Sequence, residues 1–138
     1  MADEARNVEI LKAAYHQWSA TLGGSVDEWM KICADDIEFG SLAQGPEGAS
    51  YLSDYRSRDA LKTYFDGLAR DWQMIEFAAE QFVAQGDRVV MLGRCAWRYK
   101  KTGKVVWTRK ADSWRLANGK AVEFYEYYDT AQVHAAVA

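Results

Sequence analysis

The sequence predicts an α+β fold in which a cone-shaped, curved antiparallel sheet wraps around three N-terminal helices and encloses a pocket. Up to about residue 72, apolar residues recur every three or four positions, as on the buried side of an amphipathic helix. From residue 74 onward, apolar and polar residues alternate in four long runs typical of strands. Asn118-Gly119 joins the last two runs and is a strong hairpin signal. The expected order is α-α-β-α-β-β-β-β within one domain, residues 1–138.

The composition excludes several classes of partner. A formal net charge of −3 with scattered Lys and Arg argues against nucleic acid and against an anionic membrane surface. No stretch has the length of a transmembrane span, and the acidic start MADEARNVEI lacks the features of a signal or transit peptide. We therefore expect a cytoplasmic protein. The aromatic content of 14% favours large side chains lining a concavity, although ordinary core packing explains it equally well.

The first two helices are predicted to form a hairpin. Residues 3–22 carry one apolar stripe at spacings of three and four, and Gly23-Gly24 ends that helix. A second helix begins at Ser25, because Ser25 followed three residues later by Glu28 is a capping box. A short apolar run over residues 37–42 then predicts a brief strand.

A long loop separates this strand from the third helix. Residues 43–57 contain the chain's one proline with several glycines and serines, and loops of this length are usually lids, binding loops or disordered. Tyr51 and Tyr55 favour a partly ordered flap, because wholly disordered segments seldom carry aromatic residues. The third helix is expected to begin at Ser57 or Arg58.

The remaining chain predicts a sheet, followed by a tail after Thr130 that forms a short helix or frays. The four strands are expected over residues 74–84, 89–99, 104–116 and 121–128. Strands of this length coil, so the sheet can curve around the helices and leave a hollow. Gly93, inside the second of these strands, marks a bend or room for a ligand.

The cysteines and motifs give no sign of a metal or cofactor. Cys33 and Cys95 lie far apart, with no Cys-x-x-Cys and no nearby His pair, so we expect two free thiols in the core. No Gly-rich phosphate loop and no ligand-spaced His or Cys cluster points to a nucleotide, flavin, haem or metal.

Three segments, taken in order, resemble the nuclear-transport-factor-2-like superfamily and, within it, SnoaL-like and ketosteroid-isomerase-like proteins. The run WMKICADDIEF is similar to the family's second helix, which ends in an Ala-Asp-Asp turn before the first strand. Ser-Arg-Asp-Ala at residues 57–60 resembles the Gly-Arg-Asp-Ala that often opens the third helix. WRLANGKAVEFYEYYDTA resembles the closing hairpin with its final Tyr-Tyr-Asp. The resemblance covers nearly the whole chain and implies the cone-shaped fold, which hosts many activities.

The resemblance also implies roles for individual residues. In ketosteroid isomerases a first-helix Tyr and a protonated Asp donate hydrogen bonds to a developing enolate, while a second Asp moves the proton. Asp112 matches the first of these Asp positions, in a similar Asp-x-x-Arg context. Ser41 stands where the proton-moving Asp would be, and Gln17 aligns with the Tyr, with Tyr15 and Trp18 to either side. Because Ser is no base near neutral pH without an activating partner, steroid isomerisation by that mechanism is not expected.

Two carboxyl groups of the closing hairpin are the first candidates for catalysis. Alternation places Asp112 on the same face as Trp114, where desolvation by aromatic surface would raise the carboxyl pKa. The alternative is a pair between Asp112 and Lys110, two residues away on that face. Glu126, across the hairpin, would be the second member of an acid/base pair, or else would bridge to one of three arginines: Arg94, Arg98 or Arg109.

Two further candidates lie outside that pair. Asp129 ends the last strand, where the family often carries a proton-transfer Asp, and it could equally cap a final turn beginning at Thr130. Tyr15 lies on the apolar stripe of the first helix, either as a hydrogen-bond donor that assists catalysis, a role also open to Tyr128, or as a core residue. The expected ligand-binding residues complete the wall: Trp18, Ser41, Trp97, Trp114, Phe124 and Tyr128.

The opposite face of the sheet is too aromatic for bare solvent. It carries Trp107, Arg109, Tyr125 and Tyr127. Such a patch predicts an interface, and the resemblance implies pairing through this face, so we expect a homodimer.

Three interpretations of function follow. The first is an enzyme that performs acid/base chemistry on a small hydrophobic molecule without metal or cofactor, as an isomerase, cyclase or epoxide hydrolase. The second is a non-catalytic module that binds or senses a small molecule, which the missing base at Ser41 favours. The third is a dimerisation adaptor, whose cavity would be packed shut by aromatic side chains.

Overall fold

The computed structural model describes residues 3–42 and 55–138, and it confirms the α+β fold and the predicted order of elements. The helices of the first half are α1 (Glu4–Ala20), α2 (Val26–Ile32) and α3 (Arg58–Asp71), and α4 (Thr130–Val137) closes the chain. The strands are β1 (Cys33–Ser41), β2 (Trp72–Gln85), β3 (Arg88–Tyr99), β4 (Val105–Ala117) and β5 (Lys120–Tyr128). Most of the predicted 43–57 loop lies outside the described residues.

The helix starts show where local sequence signals hold and where they fail. Asp3 caps α1 by accepting a hydrogen bond from Arg6 N, and Ser57 caps α3 in the same way. The predicted start of α2 is confirmed, since Ser25 is its N-cap residue, but the Ser25 side chain does not make the hydrogen bond of a capping box. Its backbone, at φ −92° and ψ 42°, lacks the extended conformation that aims a cap side chain at the helix, whereas Ser57 has it at φ −151° and ψ 156°.

The sheet is mixed rather than purely antiparallel. Its strand order is β1-β5-β4-β3-β2, and β2 to β5 form the predicted antiparallel meander. β1 pairs with β5 in parallel and begins at Cys33, four residues before the predicted start of the strand. Alternation of apolar residues defines the two faces of a strand but carries no information on the direction of its partner. The parallel pairing was therefore not readable from the β1 sequence.

Two glycines shape the sheet in different ways. Asn118 and Gly119 have φ values of 52° and 78°, which confirms the tight hairpin between β4 and β5. At Gly93 a Cβ atom would lie 2.1 Å from the carbonyl oxygen of Ala78, just before a register shift in β2 between Ala79 and Gln81. Gly93 thus permits a close backbone approach at a bulge, where the sheet bends.

The core lies between the helices and one face of the sheet. Leu11 and Trp18 of α1 and Leu61 of α3 are buried together with Met91 of β3 and Phe124 of β5. The two free cysteines are confirmed, since Cys33 and Cys95 are both buried thiols. In the described part of the chain, no helix is long and apolar enough to cross a membrane.

Candidate functional site

A cavity of about 100 Å³ lies between the helices and the inner face of the sheet. Its wall is mostly aromatic and includes six of the residues expected there: Tyr15, Trp18, Trp97, Trp114, Phe124 and Tyr128. The polar part of the wall consists mainly of groups from β4 and β5: Thr108, Lys110, Asp112 and Glu126. β4 and β5 thus place two carboxyl groups in an otherwise largely apolar cavity wall.

Asp112 is held in place by a chain of hydrogen bonds that starts on its own strand. Trp114 Nε1 donates to the Tyr15 hydroxyl at 2.8 Å, and this hydroxyl donates to Asp112 Oδ2 at 2.5 Å. Only 2% of Asp112 is exposed, because alternation along β4 turns it inward with Trp114 while α1 covers it with Tyr15. The tyrosine orients one carboxyl oxygen and leaves the other, Oδ1, for a different neighbour.

That neighbour is Lys110, whose ammonium lies between two carboxyl groups. Lys110 Nζ is 3.1 Å from Asp112 Oδ1 and 3.0 Å from Glu126 Oε2. No group in the described ranges completes a well-formed hydrogen bond with Oδ1, so Lys110 contributes an ion pair there. Both alternatives for Asp112 therefore hold together, because the carboxyl lines the cavity and is also paired with Lys110.

Glu126 receives hydrogen bonds on both of its oxygens. The Tyr64 hydroxyl of α3 donates to Oε1 at 2.9 Å, and Lys110 donates to Oε2 at 3.0 Å. The expected bridge from Glu126 to Arg94, Arg98 or Arg109 is wrong. Arg94, for example, forms an ion pair with Glu76 on the outer face of the sheet. Glu76 is the register partner of Ala96 in the β2–β3 ladder. Strand alternation puts these arginines and Glu126 on opposite faces.

Burial and charge change the proton affinities within this cluster. Burial raises the pKa of Asp112 from 3.8 to about 6, against the lowering effect of Lys110, and the Glu126 charge adds to the increase. Burial by itself lowers the pKa of Lys110, but the charges of Asp112 and Glu126 outweigh it and raise the value above that of a free lysine. Burial and the neighbouring carboxylates also raise the pKa of Tyr15 and Tyr64, so both remain hydrogen-bond donors. Asp112 is thus the group of this cluster that can exchange a proton near neutral pH.

The remaining candidates lie at the edge of this cluster or away from it. Ser41 is buried but is not part of the cavity wall, and its hydroxyl is 2.6 Å from the hydroxyl of Tyr128. Asp129 caps α4, with its side chain accepting from Gln132 N, and does not line the cavity. Gln17, the residue aligned with the family's first-helix Tyr, is exposed on α1, and it is Tyr15 that reaches Asp112.

Sequence reasoning missed two members of the hydrogen-bonded cluster around Asp112 and Glu126. Lys110 was considered only as a partner that would neutralise Asp112, although its position on the same face placed it in the wall as well. Tyr64 gave no signal beyond its place on the apolar stripe of α3, because nothing local relates it to Glu126, 62 residues later. The catalytic roles of Asp112, Glu126, Asp129 and Tyr15 stay predictions.

Residues 3–42 and 55–138 contain no group of three or more His, Cys, Asp or Glu side chains placed to hold a metal ion. The expectation that the protein works without a cofactor stays a prediction. The arrangement supplies one exchangeable proton, one fixed cation and several hydrogen-bond donors in a cavity with aromatic walls.

The fold has close counterparts among solved structures. An NTF2-like protein from Burkholderia xenovorans is 22% identical, with 100% of both chains covered and a TM-score of 0.82. An NTF2-like protein from Burkholderia thailandensis is 28% identical over 96% of this chain and 97% of that one, with a TM-score of 0.79. TerC, co-crystallised with polyporic acid, is 21% identical over 96% and 98% of the two chains, with a TM-score of 0.77.

Sequence comparison identifies the family directly. No curated protein matches the chain. The family model of the SnoaL-like domain matches residues 12–124, which is most of the sequence. The match includes α2, β1, α3, β2, β3 and β4, and two of the three charged residues of the cluster, Lys110 and Asp112. The chain therefore belongs to the SnoaL-like domain family.

Proposed function

We propose that this protein is a cofactor-independent enzyme that moves a proton on a small hydrophobic molecule held in the aromatic cavity, in an isomerase, cyclase or hydrolase type of reaction. The observation that carries the proposal is Asp112, a carboxyl group that is 2% exposed, lines the cavity and has a pKa raised by burial to about 6. A general acid or base works best when its pKa is near the working pH. Carboxyl groups with a perturbed pKa in a cavity are typical of functional sites.

Asp112 acts as the proton carrier in this proposal. Above pH 6 its ionised carboxyl takes a proton from an acidic C–H or O–H of the ligand and returns it to another atom of the same molecule. Tyr15 donates to Oδ2 and so orients the carboxyl, while Oδ1, which accepts no well-formed hydrogen bond from the described residues, receives the proton. Glu126 accepts hydrogen bonds from Tyr64 and Lys110 on its two oxygens, and it holds the Lys110 ammonium beside Asp112.

The cavity wall supports a flat or compact apolar ligand. Trp29 stacks on Trp114 with their ring centroids 5.3 Å apart, and Phe39 stacks on Phe124 at 4.6 Å, which leaves broad aromatic surfaces toward the cavity. TerC, which has the same fold, was co-crystallised with an organic acid, polyporic acid. The ligand class of this chain, a small hydrophobic molecule, is inferred from its own wall.

A thermal-shift screen coupled to turnover tests the proposal. Wild type, Asp112→Asn and Asp66→Asn would be screened against ketones, lactones, epoxides, polyketide fragments and steroids. A ligand at 100 times its Kd adds about 2.7 kcal/mol to the free energy of unfolding. We expect one class to stabilise all three proteins but to be converted only by wild type and Asp66→Asn, since Asp66 is an exposed carboxyl on α3.

The rival function is a non-catalytic binding module, and the same experiment separates the two. A ligand that stabilises wild type and is never converted, or conversion that survives Asp112→Asn, would favour the binding module or remove Asp112 from the mechanism. The adaptor interpretation is weaker, because it required a cavity packed shut and about 100 Å³ of space is present.

We also propose a cytoplasmic homodimer that pairs through the outer sheet face. Two free buried cysteines support a reducing compartment. Trp107 and Tyr127 are 58% and 47% exposed, which supports an interface on that face.

A further inference from the structure

The charged cluster has a feature that the proposed chemistry does not use, namely one cation shared by two anions. Lys110 Nζ lies within 3.1 Å of a carboxyl oxygen of Asp112 and within 3.0 Å of one of Glu126. The three side chains are 9%, 2% and 6% exposed, so water screens their charges little. With both carboxyl groups ionised, the cluster carries a net charge of −1.

The two carboxyl groups differ in the hydrogen bonds that hold their charge. Glu126 accepts one hydrogen bond on each oxygen, from Tyr64 and from Lys110. Asp112 accepts one from Tyr15 on Oδ2, while among the described residues its Oδ1 has the ion-pair contact with Lys110 and no well-formed hydrogen bond. Because hydrogen bonds to the ionised form stabilise that form, a single proton added to the cluster is directed to Asp112.

Lys110 itself is fixed and remains charged. It extends from β4 beneath the Phe77 ring, with Nζ 5.4 Å from the ring centroid, so an aromatic face as well as two carboxylates stabilises the ammonium. A permanently charged amine is no nucleophile, which excludes a role in covalent bonding to a carbonyl ligand. The role that remains for the Lys110 ammonium is electrostatic.

We propose that Lys110 is a positioning residue whose single ammonium, divided between Asp112 and Glu126, keeps Asp112 ionised near neutral pH and makes Asp112 the site that gains and loses the proton. The further step, in which Asp112 moves a proton of the ligand, rests on the proposed function. The division of the Lys110 charge between the two carboxyl groups does not depend on that function. The other titratable groups facing this cluster come from four elements: Tyr15 of α1, Tyr64 of α3, Cys95 of β3 and Tyr128 of β5.

The experiment is a carbon-13 NMR titration of the Asp112 carboxyl carbon in ligand-free protein, with the resonance identified by its loss in Asp112→Asn. Removing an opposite charge at this distance raises a carboxyl pKa by about 1–3 units, so we expect Lys110→Met to raise the titration midpoint by that amount. Glu126→Gln leaves the whole ammonium to Asp112 and should lower the midpoint. Lys110→Arg keeps the charge and should stay close to wild type.

The control is Lys62→Met, which removes the same charge from an exposed position on α3 and should leave the midpoint where it is. If Lys110→Met fails to fold because two carboxylates are left without a cation, Glu126→Gln is compared with the double variant Lys110→Met/Glu126→Gln. The loss of Lys110 must again raise the midpoint. A midpoint that stays constant or falls when Lys110 is removed overturns the proposal, even if the screen described above finds a substrate.

Discussion

At the scale of single residues, Asp112 is an anion buried at a cost to stability. Its pKa is about 6 in the folded protein against 3.8 for a free side chain, a difference that corresponds to about 3 kcal/mol. The folded state therefore binds more protons than the unfolded state between about pH 4 and pH 6. Within that window the free energy of unfolding falls as the pH rises.

Asp112→Asn removes this titration. We expect the variant to gain stability relative to wild type as the pH rises from 4 to 7, by up to about 3 kcal/mol, because only wild type is penalised for ionising the buried carboxyl. Urea unfolding of both proteins at several pH values measures the difference. If the difference is the same at pH 4 and pH 7, Asp112 does not have a raised pKa. Asp66→Asn serves as the matched control.

At the scale of elements, the β2–β3 ladder depends on the absence of a side chain at Gly93. The Cβ atom of Gly93→Ala would lie 2.1 Å from the Ala78 carbonyl oxygen, so one strand has to move. We expect a loss of about 1–3 kcal/mol in the free energy of unfolding, together with faster amide exchange along β2 and β3.

Gly103→Ala is the comparison for this prediction. Gly103 lies in the turn before β4 with φ 75°, and no atom lies within 4 Å of its added Cβ. The substitution therefore costs only the left-handed backbone conformation, about 1–2 kcal/mol, and leaves exchange in β2 and β3 unchanged. Equal exchange rates in the two variants would show that the contact with Ala78 relaxes without moving the strands.

Asp129 has a structural task at the start of α4. Its side chain accepts from Gln132 N, and α4 places Val133 in the cavity wall. We expect Asp129→Ala to lower the free energy of unfolding by about 0.5–2 kcal/mol, whereas Asp129→Asn keeps the cap and loses little. Thermal unfolding of the two variants measures this. If both variants keep wild-type stability and lose turnover, the result favours the proton-transfer role that the family resemblance implies for Asp129.

At the scale of the whole molecule, the outer sheet face predicts assembly. Trp107 is 58% exposed and Tyr127 47%, on the side of the sheet away from the cavity. We expect a dimer in light scattering at micromolar concentration and a monomer for Trp107→Glu, because a charge at the centre of an apolar interface loses its hydration. Leu22→Glu, at an exposed position after α1, should remain dimeric. A monomeric wild type would contradict the prediction.

Most of the fold could be predicted from the sequence, but only part of the site. The strand bounds of the meander came within two residues of those observed, because alternation and turn residues act locally. The cavity face of β4 was predicted for the same reason, with Asp112 and Trp114 on one side. The direction in which β1 pairs was predicted wrongly, and the contact of Tyr15 with Asp112 was not predicted, since each depends on how separate elements meet.

The sequence by itself determined the order of helices and strands, the turns and which side chains share a strand face. All of these follow from spacing along the chain, which covalent geometry sets. The family was indicated by the resemblance of three segments to known proteins. Only the tertiary structure decided that Tyr15 contacts Asp112, 97 residues away, and that Tyr64 contacts Glu126. It also decided that Lys110 lies between the two carboxyl groups, because pairing of β4 with β5 places Asp112 opposite Glu126 and the helices then exclude water from both.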